Sequence, residues 1–137
     1  MQHNLNNHCC FKITQNIFFL NQDGKFLVIQ HKDGKWLLPG GRLHMGENWF
    51  KGLQREIKEE TGILDFTISS VFQIDTWKYK KDFYFGVFYI GKTNKINIIL
   101  SSEHINYKWI NTTNEINSLD FWNKNLKKRV LNFINTK

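Results

Sequence analysis

Apolar positions along the chain switch between two periods, and the switches mark its elements. Cys10-Phe11-Lys12-Ile13 and Ile17-Phe18-Phe19-Leu20 carry the aromatic and β-branched residues that predict strands. Asn21-Gln22-Asp23-Gly24 predicts a tight turn, since Asp-Gly supplies the positive φ a hairpin needs. Phe26-Leu27-Val28-Ile29 predicts a short buried strand, and Lys32-Asp33-Gly34 a second turn. Trp36-Leu37-Leu38 runs into Pro39-Gly40-Gly41, where a proline and paired glycines are expected to stop regular structure. Over 48–61 the period becomes helical, with Asn48 placed as N-cap and Gly62 as C-terminal stop. The stretches 66–77 and 82–90 predict strands joined by the charged turn Lys78-Tyr79-Lys80-Lys81, and Tyr107-Lys108-Trp109-Ile110 a short one. Leu119, Trp122, Leu126, Val130 and Phe133 recur at three- and four-residue steps, which predicts one closing helix with that stripe in the core.

Antiparallel strand runs broken by single helices point to an α+β domain, layered α/β/α around a mixed sheet. At 137 residues the chain makes one domain, expected over 8–137 behind a polar arm at 1–7. The 12 Phe and 5 Trp can fill a core without disulfides, and the 2 cysteines, Cys9 and Cys10, are adjacent, so on a strand they face opposite ways. His3 and His8 lie near them without any zinc-ligand spacing. No stretch is long and apolar enough to cross a membrane, and the N-terminus lacks a signal-peptide pattern, so the expected home is the reducing cytoplasm. The net charge of +7 comes from scattered lysines with no basic run longer than Lys127-Lys128-Arg129; it identifies no partner, and nucleic acid is not the expected one.

The helix over 48–61 changes the picture. On a helical wheel Phe50, Leu53 and Ile57 form the apolar stripe, while Lys51, Gln54, Arg55 and Lys58 fall on the wet side. Glu56, Glu59 and Glu60 crowd into the arc between, although like charges at such spacing each cost a helix roughly 0.2–0.5 kcal/mol. A hard divalent cation, Mg²⁺ or Mn²⁺, would reverse that cost, since it takes carboxylate oxygens and leaves positions for water and phosphate. Gly52 lies on the same face, where glycine costs about 0.8–1.0 kcal/mol relative to alanine; it predicts close approach of another backbone segment, with Pro39-Gly40-Gly41-Arg42 the obvious one. Glu47 at the helix entrance is placed to join the cluster or to hold Arg55.

Gly41, Glu47, Arg55-Glu56-Ile57, Glu59-Glu60 and Gly62-Ile63 together resemble the Nudix box, G-x5-E-x7-R-E-U-x-E-E-x-G-U with U aliphatic, and every fixed position is filled. The chain is most similar to the small MutT-type members. The resemblance implies an α/β/α sandwich with a mixed central sheet. It further implies hydrolysis of a phosphoanhydride bond in a nucleoside diphosphate linked to another moiety. By the same resemblance Glu56, Glu59 and Glu60, with the carbonyl of Gly41, would hold Mg²⁺ or Mn²⁺, and Arg55 would orient a box glutamate. The general base would be Glu56, or Glu103 from a later loop, whose spacing to Trp109 looks like that in MutT-type members.

Substrate choice lies outside the box. Arg42, Tyr79 and Trp109 are the expected substrate-binding residues. The short chain without additions most resembles the nucleoside triphosphate pyrophosphatases, which release a monophosphate and pyrophosphate. Tyr79 keeps a dinucleoside polyphosphate open. ADP-ribose or a nucleotide sugar, and the 5′ end of an RNA, are further alternatives for the same chemistry. The expected partner is thus a small nucleotide, with a homodimer left open.

Overall fold

The computed structural model describes residues 8–136, so the arm expected over 1–7 lies outside the described residues. Seven strands form one sheet: β1 (Phe11–Leu20), β2 (Phe26–His31), β3 (Trp36–Leu37), β4 (Gly40–Arg42), β5 (Thr67–Tyr79), β6 (Asp82–Lys92) and β7 (His104–Ile110). Their order is β3-β2-β1-β6-β5, with β4 also paired to β1 and β7 to β2. Only β1 and β6 run parallel, and every other pairing is antiparallel, which makes the sheet mixed as expected.

Side-chain alternation divides the core into two layers. Ile17, Phe19, Leu27 and Ile29 meet Leu53 and Ile57 of α1 (Trp49–Thr61) on one face. Phe18, Phe26 and Val28 meet Ile116 of α2 (Thr113–Asn117), and Val130 and Phe133 of α3 (Lys124–Asn135), on the other. Phe18 stacks on Phe133 with ring centroids 3.9 Å apart. The result is the α/β/α sandwich. No helix among the described residues is long and apolar enough to cross a membrane.

The two strand segments expected around 10–20 are one strand. The polar residues between them do not interrupt it because their side chains are satisfied inside the fold. Gln15, 2% exposed, donates to the Trp49 carbonyl (2.9 Å) and accepts from the Tyr89 hydroxyl (2.7 Å). The expected stop at Pro39-Gly40-Gly41 is instead the start of β4, which pairs Gly40 with Asn16 and Arg42 with Thr14. Glycine permits this: at Gly40 (φ 143) an added Cβ would collide with the carbonyl of Gln15.

The helix signals of α1 are where the sequence puts them. Asn48 Oδ1 accepts from the amides of Phe50 and Lys51, and Gly62 closes the helix in the left-handed region at φ 73. The C-terminal prediction needs correction. Instead of one helix there are two: α2 opens with a capping box formed by Thr112 and Glu115, and α3 is capped by Asn123. Leu119 lies between them and is buried, whereas Trp122 is exposed; only Leu126, Val130 and Phe133 belong to a helical stripe. The segment between the helices bonds to β3 instead, through Trp36 N to Asp120 O (2.9 Å) and Trp122 N to Trp36 O (3.0 Å).

Candidate active site

β4 delivers its glycines to the face of α1 that carries the carboxylates. The Gly40 amide donates to Glu60 Oε1 at 2.8 Å. The carboxyl group of Glu56 lies across Gly41, where a Cβ would collide with it. Glu59, next to Glu60 and one turn on from Glu56, is open to solvent. Thr14 Oγ1 donates to the Gly41 carbonyl at the limit of hydrogen bonding, 3.5 Å.

Arg55 corrects the helical wheel. It does not point into water but folds over the acidic arc, with its side chain 25% exposed. Its Nε and Nη2 donate to Glu47 (2.8 and 3.0 Å), Nη1 to Glu56 Oε1 (2.9 Å) and Nη2 to the Arg42 carbonyl (3.2 Å). A planar five-donor fork serves all of these at once, which a lysine could not. Of the two roles open to Glu47, it takes the second, holding Arg55, and also accepts from the His44 amide (3.0 Å). Gly52 is required for a reason different from the expected one. What crowds it is not passing backbone but the side chains of Leu43 and Glu47.

Glu60 sits at the end of the arc, 13% exposed, with Oε2 at 3.5 Å from His104 Nε2. Burial, and then the carboxylates of Glu56, Glu103 and Glu59, push its pKa up to about 8 against the pull of the Gly40 amide. Burial also raises Glu56, with Arg55 opposing it. Glu47 lies at the other extreme, held down to about 2 chiefly by Arg55. Burial, with His31 beside it, lowers the pKa of His104.

The other residues singled out in the sequence are placed unevenly. Glu103 stands in the turn before β7, exposed, next to His104 and close enough for its charge to act on Glu60. Arg42 reaches along β4 to the Tyr84 hydroxyl (2.7 Å), with its guanidinium 5.3 Å from the centre of that ring, and Tyr84 in turn stacks on Trp77. Trp109 is not drawn into the acidic group. It packs in the α1-side core and donates through Nε1 to the Ile96 carbonyl (3.3 Å). Tyr79 lies at the tip of the β5–β6 hairpin opposite Asp82, whereas Gly41 shares a row with Gln15 and Val87. The five residues from Asp82 to Val87 put it roughly 16 Å along the strand from that row. Two residues escaped the sequence reading, His104 and Tyr84. Adjacency to Glu103 was the available signal for the first; nothing local marks the second.

Among the described residues, no three His, Cys, Asp or Glu side chains converge into a preformed metal cage. The donor set nevertheless fits a hard divalent ion that keeps part of its water shell and shares phosphate oxygens. A buried carboxylate held beside two others, with its proton affinity raised, is a site short of positive charge, and the absence of a Cβ at Gly41 is what lets the Glu56 carboxyl lie against that backbone. A consequence can be measured on the metal-free protein. Because the folded pKa of Glu60 lies above its unfolded value of 4.5, its ionisation costs stability as pH rises from 4.5 to about 8. His104, with a lowered pKa, works in the opposite sense only up to its unfolded value of 6.5, and Glu56, also raised, works in the same sense as Glu60. Between pH 6.5 and 8 the protein in EDTA should lose about 2 kcal/mol of stability. Chemical denaturation shows whether it does, and a flat profile across that window contradicts it.

Known proteins share this fold. A family model described as the NUDIX domain matches residues 11–130. The RNA pyrophosphohydrolase of Orientia tsutsugamushi (strain Boryong) is 26% identical over 147 residues, covering 92% of this chain and 91% of that protein. The 8-oxo-dGDP phosphatase NUDT18 of Mus musculus is 44% identical over 50 residues, 34% of this chain, and the match spans only 16% of that longer protein. Among solved structures, the MutT protein from Methanosarcina mazei Go1 superposes with a TM-score of 0.75 at 24% identity, covering 95% of this chain and 99% of the other. An Ap4A hydrolase of C. elegans does so with a TM-score of 0.70 at 23% identity, covering 92% and 99%. These structural likenesses establish the fold, and the family model, spanning most of the chain, establishes kinship: the chain belongs to the NUDIX family.

Proposed function

We propose that the protein is a Mg²⁺- or Mn²⁺-dependent hydrolase that cleaves a nucleoside triphosphate to the monophosphate and pyrophosphate. The observation that carries this reading is the gathering of Glu56, Glu59 and Glu60 on one arc of α1, braced by Arg55 against the backbone of Gly40 and Gly41. Glu56, Glu59, Glu60 and the Gly41 carbonyl would hold the divalent ion. When bound, that ion neutralises phosphate charge and lowers the pKa of a water. Arg55 fixes the rotamer of Glu56. Arg42, leaving β4 directly after Gly41, is placed to meet a phosphate or to hold an aromatic base beside Tyr84. Glu56 and Glu103 are the two candidates to take the proton of the attacking water; both are acids at the edge of the same group.

The base assignment separates cleanly by mutation. If Glu103 is the base, Glu103→Gln should lower kcat about 10²–10⁴-fold and keep Mn²⁺ affinity. If Glu56 is, Glu56→Gln should lower kcat at saturating Mn²⁺ by that factor, with weaker Mn²⁺ binding besides, and Glu103→Gln should not. If both variants stay within tenfold of wild type, the proton goes elsewhere.

Product analysis tests the substrate. Incubation with Mg²⁺ and each nucleoside triphosphate should yield monophosphate and pyrophosphate, and EDTA should abolish the reaction. Intact triphosphates beside consumed diadenosine tetraphosphate or ADP-ribose would transfer the chemistry to those substrates. A second reading has its own support. A relative matched over nearly the whole chain is an RNA pyrophosphohydrolase, and the net charge of +7 includes Lys78, Lys80 and Lys81 on the exposed β5–β6 hairpin. Release of pyrophosphate from 5′-triphosphorylated RNA, with KM rising steeply with salt, would favour it.

A further inference from the structure

His104 is the most enclosed titratable side chain beside the acidic arc, 2% exposed, and nothing in the proposed chemistry uses it. It opens β7, directly after Glu103. Its Nδ1 lies 3.0 Å from Ser101 Oγ, its Nε2 3.5 Å from Glu60 Oε2, and its ring meets His31 edge-on at 5.7 Å. The Ser101 hydroxyl, which accepts from the Glu103 amide (3.4 Å), can donate its own proton to Nδ1. In that tautomer the ring proton sits on Nε2, facing Glu60. Glu60 is thus contacted at both oxygens, by the Gly40 amide at Oε1 and by the imidazole at Oε2. Each carboxylate oxygen has a second lone pair, which stays available to a cation.

We propose that His104, oriented by Ser101, is a positioning residue that sets the carboxylate plane of Glu60 for the divalent ion and ties the Glu103 turn to α1. The proposal rests on the reading of Glu60 as a metal-holding residue. It follows the general behaviour of metal sites, in which a group hydrogen-bonded to a ligand fixes its orientation and contributes about 10–100-fold to metal affinity.

Two amide substitutions test it. In His104→Gln the side-chain amide nitrogen reaches the place of Nε2 and can still donate to Glu60. In His104→Asn it stops near the place of Nδ1 and can bond only toward Ser101. Mn²⁺ binding, followed by the electron paramagnetic resonance of free Mn²⁺, should weaken about 10–100-fold in His104→Asn and stay within about threefold of wild type in His104→Gln. Under saturating Mn²⁺ the nucleotide KM should be unchanged in both. Ser101→Ala, which leaves the ring in place but frees its tautomer, should weaken binding by a smaller factor of about 3. Melting curves in EDTA confirm that each variant is folded. Equal losses in the Asn and Gln variants, or none in either together with none in Ser101→Ala, overturn the positioning role. If the wild-type protein itself binds no Mn²⁺, the failure is of Glu60 as a metal-holding residue, a different result with a different reading.

Discussion

Replacing Glu60 by glutamine should lower turnover about 10³-fold, or about 4 kcal/mol in barrier, and at the same time make the metal-free protein more stable. The two effects share one cause. Glu60 is a carboxylate enclosed among other carboxylates, and burial with those charges pushes its pKa up to about 8, so the fold accommodates its charge poorly without a cation. Glutamine keeps an oxygen for the Gly40 amide but carries no charge. At pH 8 in EDTA the variant should therefore resist denaturant better than wild type, and saturating Mg²⁺ should stabilise wild type alone. Loss of activity accompanied by loss of stability would mean that Glu60 is a structural residue and that the acidic arc has been misread. Turnover within tenfold of wild type would be equally damaging.

The second large effect is on folding. Gly40→Ala should cost more than about 3 kcal/mol and take activity with it. An alanine there must find room for a methyl group against the Gln15 carbonyl and Asn16, in a backbone conformation with φ 143 that side chains rarely adopt. The strand pair β1–β4 would have to part, and the amide that holds Glu60 would move with it. Gly46→Ala is the internal control. Its φ of 74 is also unfavourable, but nothing lies within 4 Å of the added carbon, so only the local strain of about 1–2 kcal/mol applies. Urea denaturation of the two variants separates close approach from strain. Equal losses would show that the contact between β4 and β1 does not require a glycine.

The sequence and the structure agree best where a signal is local. Asn48 and Gly62 are capping residues whose reach is two or three amides, and α1 begins and ends at them. The carboxylate arc is a property of one helix, so a wheel shows it. Agreement fails where the determinant is distant. Gln15 looks like a strand breaker until Tyr89, 74 positions away, supplies its partner. Pro39-Gly40-Gly41 reads as a stop because the glycine signal of a turn and that of a close backbone approach are the same. Arg55 is drawn off the wet side by Glu47 and Arg42, residues upstream of the helix, which a wheel does not include. Leu119 and Trp122 fit a helical spacing by coincidence, and Asn123, a good cap in the middle of the stripe, was the residue that should have divided it. Of the candidate site, the box residues and Glu103 come together in space, while Tyr79 and Trp109 do not join them, because position along a strand is set by register that a single sequence does not reveal.

The parallel pairing of β1 with β6 bears on how the molecule assembles in time. Lys12 and Asp82, which close one end of that pairing, are 70 positions apart, and every pair in the ladder is similarly remote. The β5–β6 hairpin and α1 can form from neighbours in the chain, but β4 has no partner until β1 is in place. Since β4 supplies Gly40 and Gly41, the carboxylates of α1 stay without their backbone counterpart until β4 has paired with β1, across 24 to 28 positions of chain. Non-local pairing of this kind is slow because chain entropy is lost before contacts compensate it. Secondary structure should therefore appear early in refolding, and the β1–β6 and β2–β7 pairings, whose partners are 72 to 84 positions apart, last.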